Sequence, residues 1–304
     1  MQIYAKAGVV ILLTWSLLAG CMNSPESNLS AEKPTEKPPM KATQEVSSDP
    51  EAKKENQASA SKQDEPNTVE NQANPVFQQK PSQQEAINKE QEQMKKQVLF
   101  YRGSKHKKRV ALTFDDGPDR KHTLHVLQVL KNENVPGTFF VVGNMVQKHP
   151  DVLKQIDQEG HVIGNHSWNH PQMTKLSAKA VDAQINRTNQ EVYNLIGKKP
   201  LLFRPPYGAI NKRVENQIGG KGIKVVNWSV DTNDWRGRSS KQILDTVKSE
   251  IEPGGIILQH SSGGDKLQGS MEALPEIIKY LKAQGYEFVT IDELIYAPAY
   301  KNEG

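Results

Sequence analysis

From residue 110 onward the chain alternates short apolar runs with amphipathic stretches, and this alternation restricts the fold more than any other feature of the sequence. "VALTF" (110–114) has the length and composition of a buried strand, and "HTLHVLQVLKNEN" (122–134) places Leu124, Leu127 and Leu130 at helical spacing. "TFFVVG" (138–143) reads as the second strand, "PDVLKQIDQEG" (150–160) as a helix stopped by Gly160, and "HVIGNH" (161–166) as the third strand. The pattern continues through a helix near 177–196, "LLFRPP" (201–206), a helix near 211–219 and "IKVVNWSV" (223–230). It closes with a helix near 239–250, "GIILQH" (255–260), a helix near 271–284, "EFVTI" (287–291) and a last helix. Repeated βα units imply a parallel sheet, most simply a barrel, so the expected fold class is α/β.

The first third of the chain is unlike this. Mean hydropathy is −0.68 over the 304 residues, and the deficit is concentrated before residue 98, where Pro, Glu, Lys, Gln, Asn and Ser dominate. From Met22 to about Gln97 the isolated apolar residues follow no sustained period, so too little surface can be buried to offset the entropy of ordering. The expectation is a disordered tether with an end-to-end distance of roughly 50 Å. "QEAINKEQEQMKKQ" (84–97) has the composition of a short helix but no strong apolar stripe.

Ahead of the tether, Lys6 precedes an apolar stretch from Ala7 to Leu18, then Ala19, Gly20 and Cys21, the only cysteine. The stretch is shorter than the roughly 20 apolar residues that span a bilayer, and small residues precede Cys21 as a processing site needs. "LAGC" resembles a bacterial lipoprotein signal, which implies that Cys21 is lipidated; a plain cleaved signal peptide or an uncleaved anchor are the alternatives. The expected organisation is a signal peptide (1–20), a lipid-anchored linker (21–97) and a catalytic domain (98–304), held at the extracellular face of the cytoplasmic membrane.

On a parallel barrel, the loops after the strand C-termini share one face, and the unusual residues fall there. Asp115 and Asp116 of "TFDDGP" follow the first strand, His166 and His170 of "HSWNH" the third, and "RPPYG" begins at Arg204 after the fourth. "DTNDW" (231–235) and "LQH" (258–260) follow two later strands. Imidazoles at i and i+4 suit chelation of one metal, and a carboxylate from another strand would complete a His2Asp set with positions left for water and substrate. Asp116 is the candidate carboxylate, which frees Asp115 to act as a base. A helix-capping turn is the bland reading of "DDGP".

Together these motifs resemble the NodB-type polysaccharide deacetylases, carbohydrate esterase family 4, over roughly residues 108–296, with all five family motifs in order. The resemblance implies a distorted (β/α) barrel of about seven repeats. It implies that Asp116, His166 and His170 hold a divalent metal, zinc first, with cobalt or another divalent cation as alternatives. Asp115 would then be the general base, oriented by Arg204, and His260 the general acid, oriented by Asp234. The backbone N–H of Tyr207 would stabilise the oxyanion, while Trp235 and Leu258 would line the acetyl pocket, with core packing a nearly equal alternative for Trp235.

The remaining histidines, His106, His122, His125 and His149, lie outside the motifs, and His161 is expected to satisfy a local hydrogen bond. The basic run "KHKKR" (105–109), the net charge of +4 and a pI near 8.9 are compatible with an anionic wall polymer but do not demand one. The expected activity is metal-dependent hydrolysis of N-acetyl groups from a β-1,4-linked N-acetylglucosamine polymer, peptidoglycan in preference to chitin. Expected partners are that glycan and the membrane, with no nucleic acid, and the chain is expected to be a monomer. An O-acetyl ester deacetylase and a non-catalytic wall-binding lipoprotein are the competing readings.

Overall fold

The computed structural model describes residues 82–301. The expected signal peptide, the expected lipidation at Cys21 and the expected tether up to residue 81 lie outside the described residues. Among the described residues no helix is long and apolar enough to cross a membrane.

Among the described residues, nine strands form one sheet, and every ladder in it is parallel. They are β1 (Leu99–Phe100), β2 (Arg109–Asp115), β3 (Thr138–Val141), β4 (Val162–Asn165), β5 (Leu202–Phe203), β6 (Lys224–Val226), β7 (Val230–Asp231), β8 (Gly255–His260) and β9 (Glu287–Phe288). Their order is β1-β6-β5-β4-β3-β2-β8-β7, with β9 on the lower end of β2. Strands β6 and β7 are thus six positions apart in the sheet yet only three residues apart in the chain. A flat sheet would separate them by about 29 Å at about 4.8 Å per strand, whereas four Cα steps reach at most about 15 Å. The sheet must therefore curl, and a distorted, incompletely closed β/α barrel is the result, as the alternation in the sequence predicts.

Helices α1 (Gln83–Lys96), α2 (His122–Glu133), α3 (Gly143–Lys148), α4 (Pro150–Gln158), α5 (Ala178–Ile196), α6 (Lys212–Gly219), α7 (Ser240–Glu250), α8 (Gln268–Ala283) and α9 (Ile291–Ile295) complete the fold. The central strand β2 is buried from Val110 through Asp115, with Val110, Leu112 and Phe114 in one core cluster and Ala111 in a second. A strand buried on both sides needs a near-continuous apolar run, which "VALTF" supplies.

Four segments differ from their sequence reading, each for a local reason. "LLFRPP" gives only Leu202–Phe203, because Pro205 and Pro206 have no N–H to donate to a ladder. "IKVVNWSV" splits into β6 and β7, because residues 227–229 cross between the two ends of the curled sheet. "EFVTI" ends early, since Thr290 and Glu293 form a capping box that starts α9. Helix α3 follows β3 directly, in a stretch with too few residues to show a helical period. Upstream of residue 98, Ser82 and Glu85 form a capping box on α1, whose Met94 is buried in a cluster with Leu294 and Ile295. One apolar residue makes this contact, so a helix without an apolar stripe still docks.

Helix α8 enters the core at Gly269, where an added Cβ would collide with the Arg238 carbonyl oxygen and the Ser239 backbone. The clash is with backbone rather than a flexible side chain. Gly269→Ala is therefore expected to lower the free energy of unfolding by about 2 kcal/mol or more in a urea titration.

Candidate active site

Strand register sets the level of the site. In the β2–β8 ladder Asp115 lies opposite His260, and in the β4–β5 ladder Asn165 lies opposite Phe203, which brings His166 beside Arg204. Successive residues of a strand point to opposite faces, so adjacent aspartates would ordinarily diverge. Asp116 instead adopts φ 72°, in the left-handed region, and both carboxylates line the same cavity. Ser167 (70°), His170 (60°), Tyr207 (62°) and Asn233 (53°) share this region. A non-glycine residue there costs of order 1 kcal/mol or more, and three of these residues, Asp116, His170 and Tyr207, line one cavity.

Arg204 is completely buried beneath the two aspartates. Its Nη1 donates to Asp115 Oδ1 and to Thr113 Oγ1, each at 2.8 Å; Nε donates to the Val226 carbonyl at 3.0 Å and Nη2 to the Asn227 carbonyl at 3.1 Å. The guanidinium lies 4.1 Å from the Phe140 ring centroid. Burial pulls its pKa down from the ordinary arginine range, against the opposing charge and hydrogen bond of Asp115. Arg204 occupies Oδ1 of Asp115 and leaves Oδ2 facing His166 Nε2 at 3.7 Å.

Asp116 Oδ1 lies 3.5 Å from Nε2 of both His166 and His170. These separations are too long for hydrogen bonds. Two ligands sharing one cation with bonds of about 2.0–2.1 Å in tetrahedral arrangement sit about 3.4 Å apart, and the observed spacing fits that geometry. His166 Nδ1 donates to the Arg204 carbonyl at 2.8 Å, which leaves an Nε2 lone pair directed at the trio. Burial lowers the pKa of both imidazoles and favours the neutral, ligating form, against the pull of the nearby aspartates. Burial also raises the Asp116 carboxyl, with His166 and His260 opposing. The ligand atoms of all three residues lie within 4.8 Å of one another, and the residues present fit a divalent cation.

The loop carrying His170 is anchored to α5. Asn165 donates to the Ile185 carbonyl at 2.9 Å and to Asn189 Oδ1 at 2.7 Å, and its own Oδ1 accepts the Ser167 N–H at 2.7 Å. Gln184 Oε1 accepts the Trp168 and Asn169 N–H groups, and the Ser167 hydroxyl accepts the His170 N–H at 3.0 Å.

Across the cavity, His260 Nδ1 and Asp234 Oδ1 are 2.7 Å apart. Asp234 is fully buried, and its Oδ2 accepts the His260 N–H at 2.8 Å and the Ser270 hydroxyl at 2.7 Å. Burial alone would lower the pKa of His260, but the hydrogen bond and charge of Asp234, followed by Asp115 and Asp116, push it up to about 9. Burial would raise the Asp234 carboxyl, yet its bond to His260 holds it below the usual carboxylate range.

The aspartates, histidines and His260 line a cavity of about 340 Å3 together with Tyr207, Trp228, Asp231, Trp235 and Leu258. Every sequence-predicted site residue within the described chain is brought to this cavity or, for Arg204 and Asp234, directly behind it; Cys21 lies outside the described residues. Leu258 is buried in β8, whereas Trp235 is half exposed at the rim, so its ring is not core packing. "LQH" belongs to β8 itself, with His260 as its last residue.

Sequence reasoning missed Thr113, Asn227, Trp228, Asp231 and Ser270. Asn227 donates to the Gly208 carbonyl at 3.1 Å, and Trp228 packs so closely over Gly208 that a Cβ there would meet its ring at 2.8 Å. Thr113, Asp231 and Ser270 are polar positions within ordinary strands and a helix, Asn227 and Trp228 lie in the crossing between β6 and β7, and only the tertiary fold brings them to the site. His161 Nδ1 accepts the Gly137 N–H at 3.2 Å, the local bond expected of it.

The fold and this constellation define a metal-site hydrolase of the polysaccharide deacetylase type, and the chain belongs to the polysaccharide deacetylase family, whose pattern matches residues 102–226. It is 43% identical to the peptidoglycan-N-acetylglucosamine deacetylase of Bacillus cereus over 204 residues, 66% of this chain and 73% of that protein. It is 42% identical to the peptidoglycan-N-acetylmuramic acid deacetylase PdaC of Bacillus subtilis over 62% of this chain, although it spans only 39% of that protein. The crystal structure of the Bc1960 peptidoglycan N-acetylglucosamine deacetylase superposes with a TM-score of 0.67 at 40% identity, over 69% of this chain and 98% of that one. Asp116, His166 and His170 form the divalent-metal site typical of the family.

Proposed function

We propose that the chain hydrolyses N-acetyl groups of N-acetylglucosamine residues in peptidoglycan, releasing acetate. The observation that carries this reading is the convergence of the Asp116–His166–His170 trio, the Arg204-held Asp115 and the Asp234-held His260 on one cavity. The similarity to the Bacillus cereus enzyme supports the sugar.

A divalent cation held by Asp116, His166 and His170, zinc in our reading, would acidify a water molecule and polarise the acetamide carbonyl. Asp115 Oδ2 takes the proton of the attacking water, while Arg204 fixes the other oxygen and balances the charge. The backbone N–H of Tyr207, on the cavity rim, donates to the developing oxyanion. His260 then gives its proton to the departing amine, and Asp234 holds the ring through Nδ1. Trp235 and Leu258 bound the space for the acetyl methyl group. Two adjacent carboxylates thus divide the work of ligand and base.

The acid role of His260 has a pH consequence. Protonated His260 is the active form, so activity is lost as pH rises through its pKa. A bound cation offsets the contribution of Asp115 and Asp116, which puts the alkaline limb of kcat between the ordinary histidine value of about 6.5 and the shifted value of about 9. Asp234→Asn removes the largest raising influence. Its alkaline limb is expected to move down by at least one pH unit, to about 6.5 or below, and an unchanged limb in a pH–rate profile would assign the proton to another group.

The relation to PdaC supports a second reading, in which N-acetylmuramic acid is the deacetylated sugar. Mass spectrometry of muropeptides after treatment of purified peptidoglycan separates the two. Acetyl loss confined to glucosamine supports the proposal, and loss confined to muramic acid replaces it. We further propose that residues 1–20 are a signal peptide and that Cys21 is lipidated, which would tether the enzyme outside the cytoplasm. A Cys21→Ser chain that still incorporates labelled palmitate would contradict that anchor.

A further inference from the structure

The acid of the proposed mechanism depends on a carboxylate with no exposed surface, that of Asp234. An ionised carboxylate offers about four lone-pair sites, and here all are filled. Oδ1 faces His260 Nδ1 at 2.7 Å and accepts the Trp235 N–H at 2.9 Å. Oδ2 accepts the His260 N–H at 2.8 Å and the Ser270 hydroxyl at 2.7 Å. Three of these donors belong to His260 itself or to the residue next to Asp234. The fourth, Ser270, comes from a separate element, the first turn of α8.

The direction of the Ser270 hydroxyl is set from behind. Gln259 precedes His260 in β8, and successive strand residues point to opposite faces, so its amide lies on the side away from the cavity. Its Nε2 donates to Ser270 Oγ at 3.2 Å, and both side chains are buried. With that lone pair occupied, the hydroxyl proton is directed at Asp234. The bonds close a ring, from Gln259 through Ser270 and Asp234 to His260 and back along the chain to Gln259. The approach of α8 is fixed where Gly269 packs against the Arg238 carbonyl, and Arg238 Nη1 in turn donates to the Thr232 carbonyl at 2.9 Å.

We propose that Ser270, backed by Gln259, is a positioning residue for the catalytic acid: it holds the Asp234 carboxylate so that Oδ1 stays on His260 Nδ1 and Nε2 stays directed into the cavity. This rests on the proposed deacetylase function and goes beyond it, since Ser270 belongs to none of the sequence motifs. Without the hydroxyl, Oδ2 keeps one donor in a fully buried position, and the carboxylate can turn and carry the imidazole with it. Breaking the acetamide C–N bond needs the His260 proton, because the bonding pair goes to nitrogen and an amine leaves only once that nitrogen is protonated. An aryl acetate does not need it, because its C–O bond breaks to a phenolate that leaves with the pair.

The test compares two substrates on the full, zinc-loaded chain: acetate release from N-acetylglucosamine oligomers and phenolate release from 4-nitrophenyl acetate. In Ser270→Ala the ratio of oligomer to ester turnover is expected to fall about tenfold through kcat, the scale of one hydrogen bond to a charged group, and Ser270→Thr is expected to restore it. Ser270→Cys keeps the side-chain volume with a weaker donor and is expected to fall between the two, which covers an alanine variant that misfolds. A second readout needs no substrate: the Nδ1–H proton shared with Asp234 is expected far downfield in the proton NMR spectrum, to move upfield in Ser270→Ala and to return in Ser270→Thr. It decides alone if the ester is not turned over. An equal loss on both substrates, an unchanged ratio, or a downfield proton that stays in place in Ser270→Ala would overturn the proposal and leave the proposed function intact. An unmutated chain that releases phenolate but no acetate from oligomers or peptidoglycan would overturn the proposed function itself, before any variant is made.

Discussion

Asp115→Asn is expected to lower kcat by about a thousandfold, the middle of the range for loss of a positioned general base, while metal content and KM stay near their original values. Asparagine keeps the shape of the side chain and can still offer an oxygen to Arg204 Nη1. What it cannot do is accept a proton from water. Asp115 is not one of the three residues whose ligand atoms converge, so the cation site remains complete. A fall in metal content to zero in this variant would show instead that Asp115 is a ligand, and the division of labour between the two aspartates would be wrong.

Arg204→Met is expected to be the most destabilising single change at the site. It leaves Asp115 buried without its counter-charge, and removing one partner of a buried pair costs about 3–5 kcal/mol. It also strips the donors that reach Thr113 and the Val226 and Asn227 carbonyls, which tie β2, β5 and β6 together. Urea unfolding of Arg204→Met, Asp115→Asn and the double variant separates these contributions. The double variant should recover part of the stability, because no buried charge is left unpaired, and none of the activity. Full additivity of the two single effects would mean that the pair is not coupled.

The alternation of apolar strands and helical periods was enough to predict the parallel barrel, and the position of each motif after a strand was enough to gather Asp115, Asp116, His166, His170, Arg204 and His260 on one rim. The break between β6 and β7 was not legible, because the short crossing at residues 227–229 reads as uninterrupted strand. Nor was the support of the site. Ser270 sits in the first turn of α8 with no motif around it, and it reaches Asp234 only because Gly269 lets that turn approach Arg238. The left-handed backbone at Asp116 and His170 is equally silent in sequence, since aspartate and histidine adopt it far less often than glycine. Motifs thus show which side chains gather at the site, while register and backbone conformation decide how they meet.

The most direct measurement is acetate release from purified peptidoglycan by the full chain after chelation and again after reconstitution with zinc. No acetate is expected from the metal-stripped enzyme, with recovery on zinc addition and one new free amine per acetate on the glycan. Undiminished release from enzyme shown to be metal-free, or no release from a folded, zinc-loaded chain, would contradict it.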